Sequence, residues 1–302
     1  MRLILHIGTH KTGTSAIQVA LRSAEGITFP EAGLMKTTGH LNLAWEASSD
    51  ARFRAFRGTT SDMVDEVRRS ADPVVVVSAE TLTSKPWSPV FVDWASNVVE
   101  TLQPDELLVV GAVRPQWQYF ESLFTQQVKV GAPLPVFPQY VAKNLDLDRF
   151  DYQAVFAGWR ARFGNALVVL PYSDNMVVDF WRVARLDGEP ARPRSNRRPS
   201  AESVEVFRML GNALANTTDK HTMAEVFRCV RQDMGYMLWN GEPFRGLDKK
   251  LVQRITDRWS DRNMEFAADY GIDPNYFKAP ESVPKRTNVR RIDVKDLSLI
   301  HI

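Results

Sequence analysis

Glycine, hydroxyl and lysine residues are concentrated in one short stretch near the start of the chain, Gly8-Thr-His-Lys-Thr-Gly-Thr-Ser15. This stretch follows the apolar run Leu3–Ile7 and precedes a helical pattern from Ser15 to Arg22. A strand, a glycine loop and a helix start bind phosphate well, because the loop amides point at the anion and the positive end of the helix dipole attracts it. The stretch therefore predicts a phosphate site, and the alternative is an ordinary turn with a surface lysine.

The loop differs from an NTPase phosphate loop in the position of its lysine. The NTPase pattern requires Gly, four residues, and then Gly-Lys-Ser/Thr. Gly8, Gly13 and Ser15 match this pattern, but Thr14 occupies the lysine position and the lysine has moved forward to Lys11. A kinase or NTPase would need the lysine at position 14 and an acidic magnesium ligand at a strand end. The displaced lysine therefore argues for a different phosphate chemistry.

A second pair of phosphate-binding residue types follows a later apolar run. Arg114 comes directly after Leu107–Val113, where its planar guanidinium can bind a phosphate. Ser122 lies eight residues further on, near the start of a helical pattern. An Arg-Pro pair after a strand is also a common helix entry. Together with the first loop, however, the pair indicates a ligand that carries two separate phosphates.

The glycine loop and the pair Arg114 and Ser122 can bind one ligand only if the strands before them end next to each other in the sheet. Four apolar runs predict buried strands of a parallel sheet, at Leu3–Ile7, Val74–Ser78, Leu107–Val113 and Leu167–Leu170. Helical patterns separate them, at Ser15–Arg22, at Asp62–Ser70 with Ser61 as the cap, at Ser88–Leu102 and at Gln116–Lys129. The alternation predicts a three-layer α/β/α fold in which ligands bind beyond the carboxyl ends of the strands.

The later part of the chain has a different composition. Residues 185–199 are rich in Arg and Pro and predict a long loop, and a helical pattern extends from Ala201 to Tyr270. We predict a single domain over residues 1–302. Its parts are an α/β core at 1–180, a basic loop and helical part at 181–280, and a tail at 281–302.

Composition limits the classes of function. The chain has 302 residues, of which 44% are hydrophobic and 25% charged, and its formal net charge is +2. This small net charge does not predict a nucleic-acid partner. The sequence contains no run of about 18 apolar residues, so we expect no membrane-spanning helix. Cys229 is the single cysteine, so no internal disulfide can form. The first residues do not fit a secretory signal, and we expect a cytoplasmic protein.

The loop Gly8–Ser15 resembles the 5′-phosphosulfate loop of sulfotransferases that use 3′-phosphoadenosine-5′-phosphosulfate (PAPS). Arg114 and Ser122 resemble the 3′-phosphate motif of the same family. Further similarity to bacterial carbohydrate-type members covers most of the chain, at Ser78-Ala-Glu80, at Asp151-Tyr152 with Trp159, Phe163 and Gly164, and from Asn263 to Tyr270. Two positions depart from the family pattern. Phe124 stands where an aromatic hydroxyl is common, and His10 where a small residue or proline is common.

The resemblance implies a P-loop NTPase-like sulfotransferase fold with PAPS as sulfate donor and no metal. Loop residues would hold the 5′-phosphate, namely His10, Lys11, Thr12, Gly13, Thr14 and Ser15. Arg114 and Ser122 would hold the 3′-phosphate. Lys11 would also neutralise the charge that develops on the leaving phosphate oxygen. A basic segment would fold over the nucleotide or attract an acidic acceptor, namely Asn196, Arg197 and Arg198, and a solvated linker is its alternative interpretation.

Sulfuryl transfer to a hydroxyl needs a base that removes the hydroxyl proton. His40 follows Gly39 and resembles the Gly-His segment that holds the base in heparan sulfate 2-O-sulfotransferases, and histidine titrates near neutral pH. Glu80 follows the second predicted strand and is the rival base, or it fixes Lys11 or the acceptor hydroxyl. We rank His40 ahead of Glu80. The alternative for His40 is a histidine that only bonds the backbone.

The sequence therefore predicts a PAPS-dependent sulfotransferase that acts on a hydroxyl of a carbohydrate or related small acceptor. Its predicted catalytic residues are Lys11, His40 and Glu80. A P-loop nucleotide or small-molecule kinase and a nucleotide-binding protein without activity stay open as alternatives. Neither the identity of the acceptor nor an oligomeric state follows from the residues.

Overall fold

The structure is a computed structural model that describes residues 1–35, 39–84, 88–191, 198–216, 219–233, 241–283 and 285–287. Within these residues, five strands form a parallel sheet in the order β2-β3-β1-β4-β5. The strands are β1 Arg2–Gly8, β2 Ile27–Thr28, β3 Val74–Ser78, β4 Glu106–Val113 and β5 Leu167–Pro171. The four predicted strands and the α/β class are confirmed. The sequence did not predict strand β2, because its two residues are too few to form an apolar run.

Helices separate and follow the strands. In the described part of the chain they are α1 Thr14–Arg22, α2 Leu41–Ala47, α3 Thr60–Arg69, α4 Ser88–Leu102, α5 Gln116–Lys129, α6 Phe137–Asn144, α7 Tyr152–Phe163, α8 Met176–Ala184, α9 Ala201–Leu214, α10 Lys220–Asp233 and α11 Lys249–Tyr270. Helices α4 and α5 have the predicted bounds. Over the described residues, no helix combines the length and the apolar character that crossing a membrane requires.

The start of α3 corrects the predicted cap. Thr59, not Ser61, caps this helix: its hydroxyl accepts a hydrogen bond from the Asp62 amide at 3.2 Å, and the Asp62 carboxylate accepts one from the Thr59 amide at 2.8 Å. This reciprocal arrangement needs an acidic or amide side chain three residues after the cap. Thr59 has that partner, whereas Val64 follows Ser61 at the same spacing.

Helices cover both faces of the sheet and produce three layers. On one face, Leu3, Leu5 and Ile7 of β1 pack in a cluster with residues of α3, α4 and α7. On the other face, Ile4 packs with residues of α1 and α8. Successive side chains of a strand point to opposite faces. Residues 3–7 of β1 are therefore buried on both sides, as the position of this strand in the middle of the sheet requires.

The strand order determines where a ligand can bind. Strand β1 lies between β3 and β4, so the chain crosses from one side of β1 to the other after β3. In open α/β sheets, ligands bind outside the carboxyl ends of the strands at such a switch point. The loop after β1 is flanked there by the residues that follow β3 and β4.

The contacts divide the chain into two compact units. Unit 1 consists of the described residues of Met1–Arg114, Leu147–Arg194 and Trp259–Phe277 and contains the sheet, and unit 2 of those of Pro115–Asp146, Ser195–Arg258 and Lys278–Ile302. Helices α5 and α6, assigned above to the α/β core, group with the later helices. The end of α11 groups with unit 1, where the Phe266 ring lies 5.7 Å from that of Tyr152 and 5.8 Å from that of Phe156. The single domain stays a prediction.

An aromatic cluster stabilises unit 2. The ring of Phe124 on α5 lies 5.1 Å from Phe137, 5.2 Å from Tyr140 and 5.6 Å from Phe244. Such pairs contribute about 0.5–1.5 kcal/mol each beyond the burial of their area. Phe124 is buried in this cluster, and a hydroxyl at the same position would need a hydrogen-bond partner among aromatic rings. Packing therefore explains a phenylalanine rather than a tyrosine at position 124.

Candidate functional site

The loop after β1 is a tight turn in which both glycines are required. Gly8 has a φ of 79° and Gly13 a φ of 83°, a region that glycine adopts without the steric cost of a side chain. A Cβ on Gly8 would lie 2.8 Å from Cα and Cβ of Glu80, and a Cβ on Gly13 would lie 3.1 Å from the Met176 side chain. The turn therefore brings Glu80, which follows β3, directly against the loop.

Threonine hydroxyls stabilise the loop from inside. The Thr12 hydroxyl donates to the Thr9 carbonyl at 2.6 Å, and the Thr14 hydroxyl lies 3.4 Å from the same carbonyl. The Thr9 amide and hydroxyl both donate to the Ala112 carbonyl of β4 at 2.9 Å. The hydroxyl protons of Thr12 and Thr14 thus bond within the loop. A contact of these two residues with an anion then runs through their amides.

The start of α1 has neither a side-chain cap nor an acidic residue of its own. Gly13 is its N-cap and supplies no side-chain hydrogen bond, and the first turn contains no acidic residue. The first amides of a helix have no acceptor within the helix, and the helix dipole places partial positive charge there. An anion in front of Thr14 and Ser15 would supply both the missing acceptor and the opposite charge.

Lys11 lies in the middle of the loop with a φ of 65°. Few residues other than glycine adopt this conformation, which costs roughly 1–3 kcal/mol and persists where the surroundings impose it, often at functional sites. The Lys11 carbonyl accepts a hydrogen bond from Nη1 of Arg114 at 3.1 Å. Arg114 therefore connects the end of β4 to the strained residue of the loop.

Tyrosine side chains fix Arg114. The Tyr152 hydroxyl accepts a hydrogen bond from the Arg114 amide at 3.4 Å and donates to the Arg114 carbonyl. The guanidinium carbon lies 4.2 Å from the ring centroid of Tyr172, a cation–π contact. The Tyr276 hydroxyl lies within hydrogen-bond distance of the Tyr172 carbonyl, at 3.1 Å. Sequence reasoning missed Tyr172, although its place directly after β5 was a usable signal.

A buried polar network lies beside the loop on the α1 face. The Ser78 hydroxyl lies 2.8 Å from Nδ1 of His6. Nε2 of Gln18 donates to the Ser78 hydroxyl at 3.1 Å and to Oε2 of Glu80 at 3.3 Å. Sequence reasoning also missed Gln18, and its signal is a polar residue on the face of α1 that buries Ile17 and Leu21. The structure brings Gly8, Lys11, Glu80 and Arg114 together in unit 1.

His40 is fully buried, and its two ring nitrogens bond the main chain. Nδ1 accepts a hydrogen bond from the Ser78 amide at 3.0 Å, and Nε2 donates to the Pro30 carbonyl at 2.9 Å. Burial lowers the pKa of His40 to about 4, against the Pro30 and Ser78 carbonyls, which raise it. A neutral ring with both nitrogens bonded has none left for an acceptor hydroxyl. This geometry matches the alternative stated above, a core histidine that bonds the backbone.

We expect the protein to lose stability in acid through its buried histidines. Burial lowers the pKa of His40 to about 4 and that of His6 to about 3, from 6.5. Below pH 6.5, the unfolded chain therefore binds protons at these histidines that the native state does not bind. The contribution of the neutral histidines to the free energy of unfolding is fully present above pH 6.5 and is lost as the pH falls through 4. For His40, 2.5 pH units at roughly 1.4 kcal/mol per unit give roughly 3–4 kcal/mol.

Urea unfolding at a series of pH values between 7 and 4 measures this loss. The free energy of unfolding of the wild type should fall steeply below pH 6.5. The variant His40→Gln, less stable at pH 7, should show a shallower fall over the same range. Identical slopes for the two proteins would contradict the assignment of the loss to His40.

His10, the histidine within the glycine loop, contacts residues outside the loop. Nε2 of His10 lies 3.1 Å from the Ser84 hydroxyl. Burial lowers the pKa of His10; the Glu80 charge opposes this shift, and the charges of Arg149 and Lys11 add to it. Arg149 is therefore a further cation near the loop. Sequence reasoning missed it, because nothing in the local pattern around residue 149 marks a site.

Two predicted site residues lie in unit 2. Ser122 is in the second turn of α5. Nη1 of Arg198 donates to Oε2 of Glu121 at 3.1 Å, and Oε1 of Glu121 accepts a hydrogen bond from the Gly246 amide at 2.8 Å. Asn196 and Arg197 lie outside the described residues. Their roles, and those of Ser122 and Arg198, stay predictions.

The described residues define an α/β protein with a candidate anion site at the carboxyl ends of β1 and β4. No group of three His, Cys, Asp or Glu side chains is placed to hold a metal in the ranges that the structure describes. The predicted independence of metal is not tested by this finding.

No family model and no curated protein matches the chain. Among solved structures it is similar to the crystal structure of a sulfotransferase from Alicyclobacillus acidocaldarius. The sequence identity is 13%, the match covers 89% of this chain and 96% of that chain, and the TM-score is 0.48. Similarity at this level shows nothing about activity.

Proposed function

We propose that the protein transfers a sulfuryl group from PAPS to a hydroxyl of a carbohydrate or related small acceptor. The observation that carries the proposal is the placement of the cations around the glycine loop. Thr14 stands at the NTPase lysine position with its hydroxyl turned towards the Thr9 carbonyl. Lys11 stands instead within the loop, with its carbonyl bonded by Arg114. This arrangement supplies two positive charges at adjacent strand ends without the lysine that phosphoryl transfer uses.

Lys11 is the proposed electrostatic catalyst. During transfer, the bond between sulfur and the bridging oxygen of the 5′-phosphate breaks while a bond from the acceptor oxygen to sulfur forms. The leaving oxygen keeps the electron pair, and negative charge develops on it. Positive groups held in place before the reaction stabilise such charge at no further reorganisation cost. Lys11 supplies that charge, the amides at the start of α1 hold the 5′-phosphate, and Arg114 holds the 3′-phosphate.

Glu80 is the proposed base that takes the acceptor proton. Its Cα and Cβ lie against Gly8 at the start of the loop, so its carboxylate belongs to the same edge of the sheet as Lys11. The ring nitrogens of His40, by contrast, are bonded to Ser78 and Pro30. A general base must reach the proton that it abstracts. This difference supports Glu80 over His40 and reverses the order drawn from sequence.

The proposal includes a cytoplasmic location, and a chain with Cys229 as its single cysteine is compatible with a reducing compartment. The two alternatives, a P-loop kinase and an inactive nucleotide-binding protein, make different demands on ligands. A kinase needs ATP and magnesium. An inactive binding protein takes the nucleotide without turnover, so Glu80→Gln would leave its behaviour unchanged.

Thermal unfolding with ligands tests the proposal. We expect 3′,5′-adenosine bisphosphate to raise the melting temperature with or without magnesium, because a ligand of the native state stabilises it by about 2.7 kcal/mol at a concentration of 100 Kd. Arg114→Ala should abolish the shift, and Arg114→Lys should restore only part of it, because lysine lacks the bidentate fork. Arg52→Ala is the matched control, since Arg52 pairs with Asp50 at 2.7 Å. A shift with ATP and magnesium alone would refute the proposal.

A further inference from the structure

Gln18 is a buried polar residue to which the proposed mechanism assigns no role. Its side chain is fully buried in α1, on the face that also buries Ile17 and Leu21. Burying an amide among apolar neighbours costs free energy unless hydrogen bonds compensate it. Two of the groups that Gln18 contacts, Ser78 and Glu80, lie at the end of β3 and directly after it. Gln18 therefore links α1, the helix that follows the loop, to Glu80, the proposed base.

The donors and acceptors of this link are consistent with one another. Nε2 of Gln18 carries two hydrogens and donates them to the Ser78 hydroxyl at 3.1 Å and to Oε2 of Glu80 at 3.3 Å. The amide must present its NH2 end, because its oxygen would repel a carboxylate. The Ser78 hydroxyl then donates to Nδ1 of His6 at 2.8 Å. A neutral His6 accepts that hydrogen bond, and burial, which lowers its pKa to about 3, keeps the ring neutral.

The Gln18 amide is closely packed where it contacts Glu80. A Cβ on Gly39 would lie 2.0 Å from the Ser78 carbonyl and 2.5 Å from Nε2 of Gln18. The Gln18 amide is thus in close contact with the backbone of the Gly39 segment. Ser78 is itself held in the sheet, where it pairs with His6 of β1. The donor that faces Glu80 therefore lies in a closely packed part of the fold, next to the sheet.

We propose that Gln18 is a positioning residue for the base. By donating to Oε2 of Glu80, it fixes the orientation of the carboxylate and leaves Oε1 as the oxygen that takes the proton of the acceptor hydroxyl. Precise placement of a reacting group matters because a displacement of about 1 Å can cost about 100-fold in rate. The inference rests on the proposed function, in which Glu80 is the base.

Steady-state kinetics of Gln18→Met tests the inference, since methionine has a similar length and cannot donate. We expect kcat for transfer of labelled sulfate to fall about 10- to 100-fold, while KM for PAPS changes less than about 2-fold. The loss should be absent when Gln18→Met is added to Glu80→Gln, because there is then no base to orient. A merely structural role would lower activity in both backgrounds.

Matched variants complete the test. Gln153 donates to the Asp269 carboxylate at 2.8 Å elsewhere in unit 1, so Gln153→Met should keep the wild-type kcat. Ser78→Ala removes the other acceptor of the Gln18 amide and should lower kcat in the same direction if Gln18→Met does not fold. The thermal shift with 3′,5′-adenosine bisphosphate shows that each variant is folded.

The outcomes separate the two claims. Wild-type kcat in folded Gln18→Met, or an equal further loss in the Glu80→Gln background, overturns the positioning role and leaves the proposed function in place. A wild-type protein that binds the bisphosphate without transferring sulfate to any of a panel of neutral and acidic sugars overturns the proposed function, and the inference with it.

Discussion

Replacing Lys11 by methionine is expected to lower kcat for sulfuryl transfer by about 10²- to 10³-fold, the usual effect of removing one group that stabilises developing charge. Binding of 3′,5′-adenosine bisphosphate should change only a few-fold, because the Lys11 charge acts mainly on the oxygen that becomes negative in the transition state. Methionine keeps the length of the side chain, and the main-chain carbonyl that accepts from Arg114 is retained. The variant therefore removes the charge and preserves the loop.

Single-turnover rates with labelled PAPS and calorimetric titration with the bisphosphate measure the two quantities separately. Lys143→Met is the matched control, since Lys143 is exposed on α6 of unit 2, and it should match the wild type in both. If bisphosphate affinity fell as far as kcat, Lys11 would bind the ground state and the transition state equally, and its role as an electrostatic catalyst would be wrong.

Replacing Glu80 by glutamine is expected to lower kcat by about 10²- to 10⁴-fold, the range that general bases contribute. Glutamine has the shape of glutamate and can still accept the hydrogen bond from Gln18, so the fold around Gly8 should persist. The loss should appear in kcat, with the thermal shift by the bisphosphate unchanged. Transfer rates and melting temperatures of the same preparation measure both effects.

His40→Gln provides the contrast to Glu80→Gln. Loss of the imidazole removes ideal partners for the Ser78 amide and the Pro30 carbonyl, and a buried group left unpaired costs about 1–3 kcal/mol. We therefore expect lower stability but a kcat per folded molecule close to that of the wild type. A loss of 10²-fold or more in folded His40→Gln, together with an active Glu80→Gln, would return the role of base to His40.

Local sequence was sufficient for four of the five strands that the structure describes and for the loop. The runs Val74–Ser78 and Ser88–Leu102 became a strand and a helix with the same bounds, because apolar periodicity reports burial directly. The glycines at positions 8 and 13 identified the loop because only a few residues tolerate its backbone. Two local predictions failed. Strand β2 has only two residues and gave no apolar run, and Ser61 was predicted as the cap of α3, where the structure has Thr59 paired with Asp62.

The roles of the side chains around the loop depended on long-range contacts instead. The sequence around His40 resembled that of a base. In the structure, however, the amide of Ser78, 38 residues away, donates a hydrogen bond to Nδ1 of His40, and this nitrogen cannot then accept a proton from an acceptor hydroxyl. Gln18 showed no motif, yet it reaches Glu80 across 62 residues. Residue type and spacing encode which chemistry is available, because backbone preferences act locally. Burial and hydrogen-bond partners decide which residue can perform it, and these arise only when β1, β3 and α1 pack together.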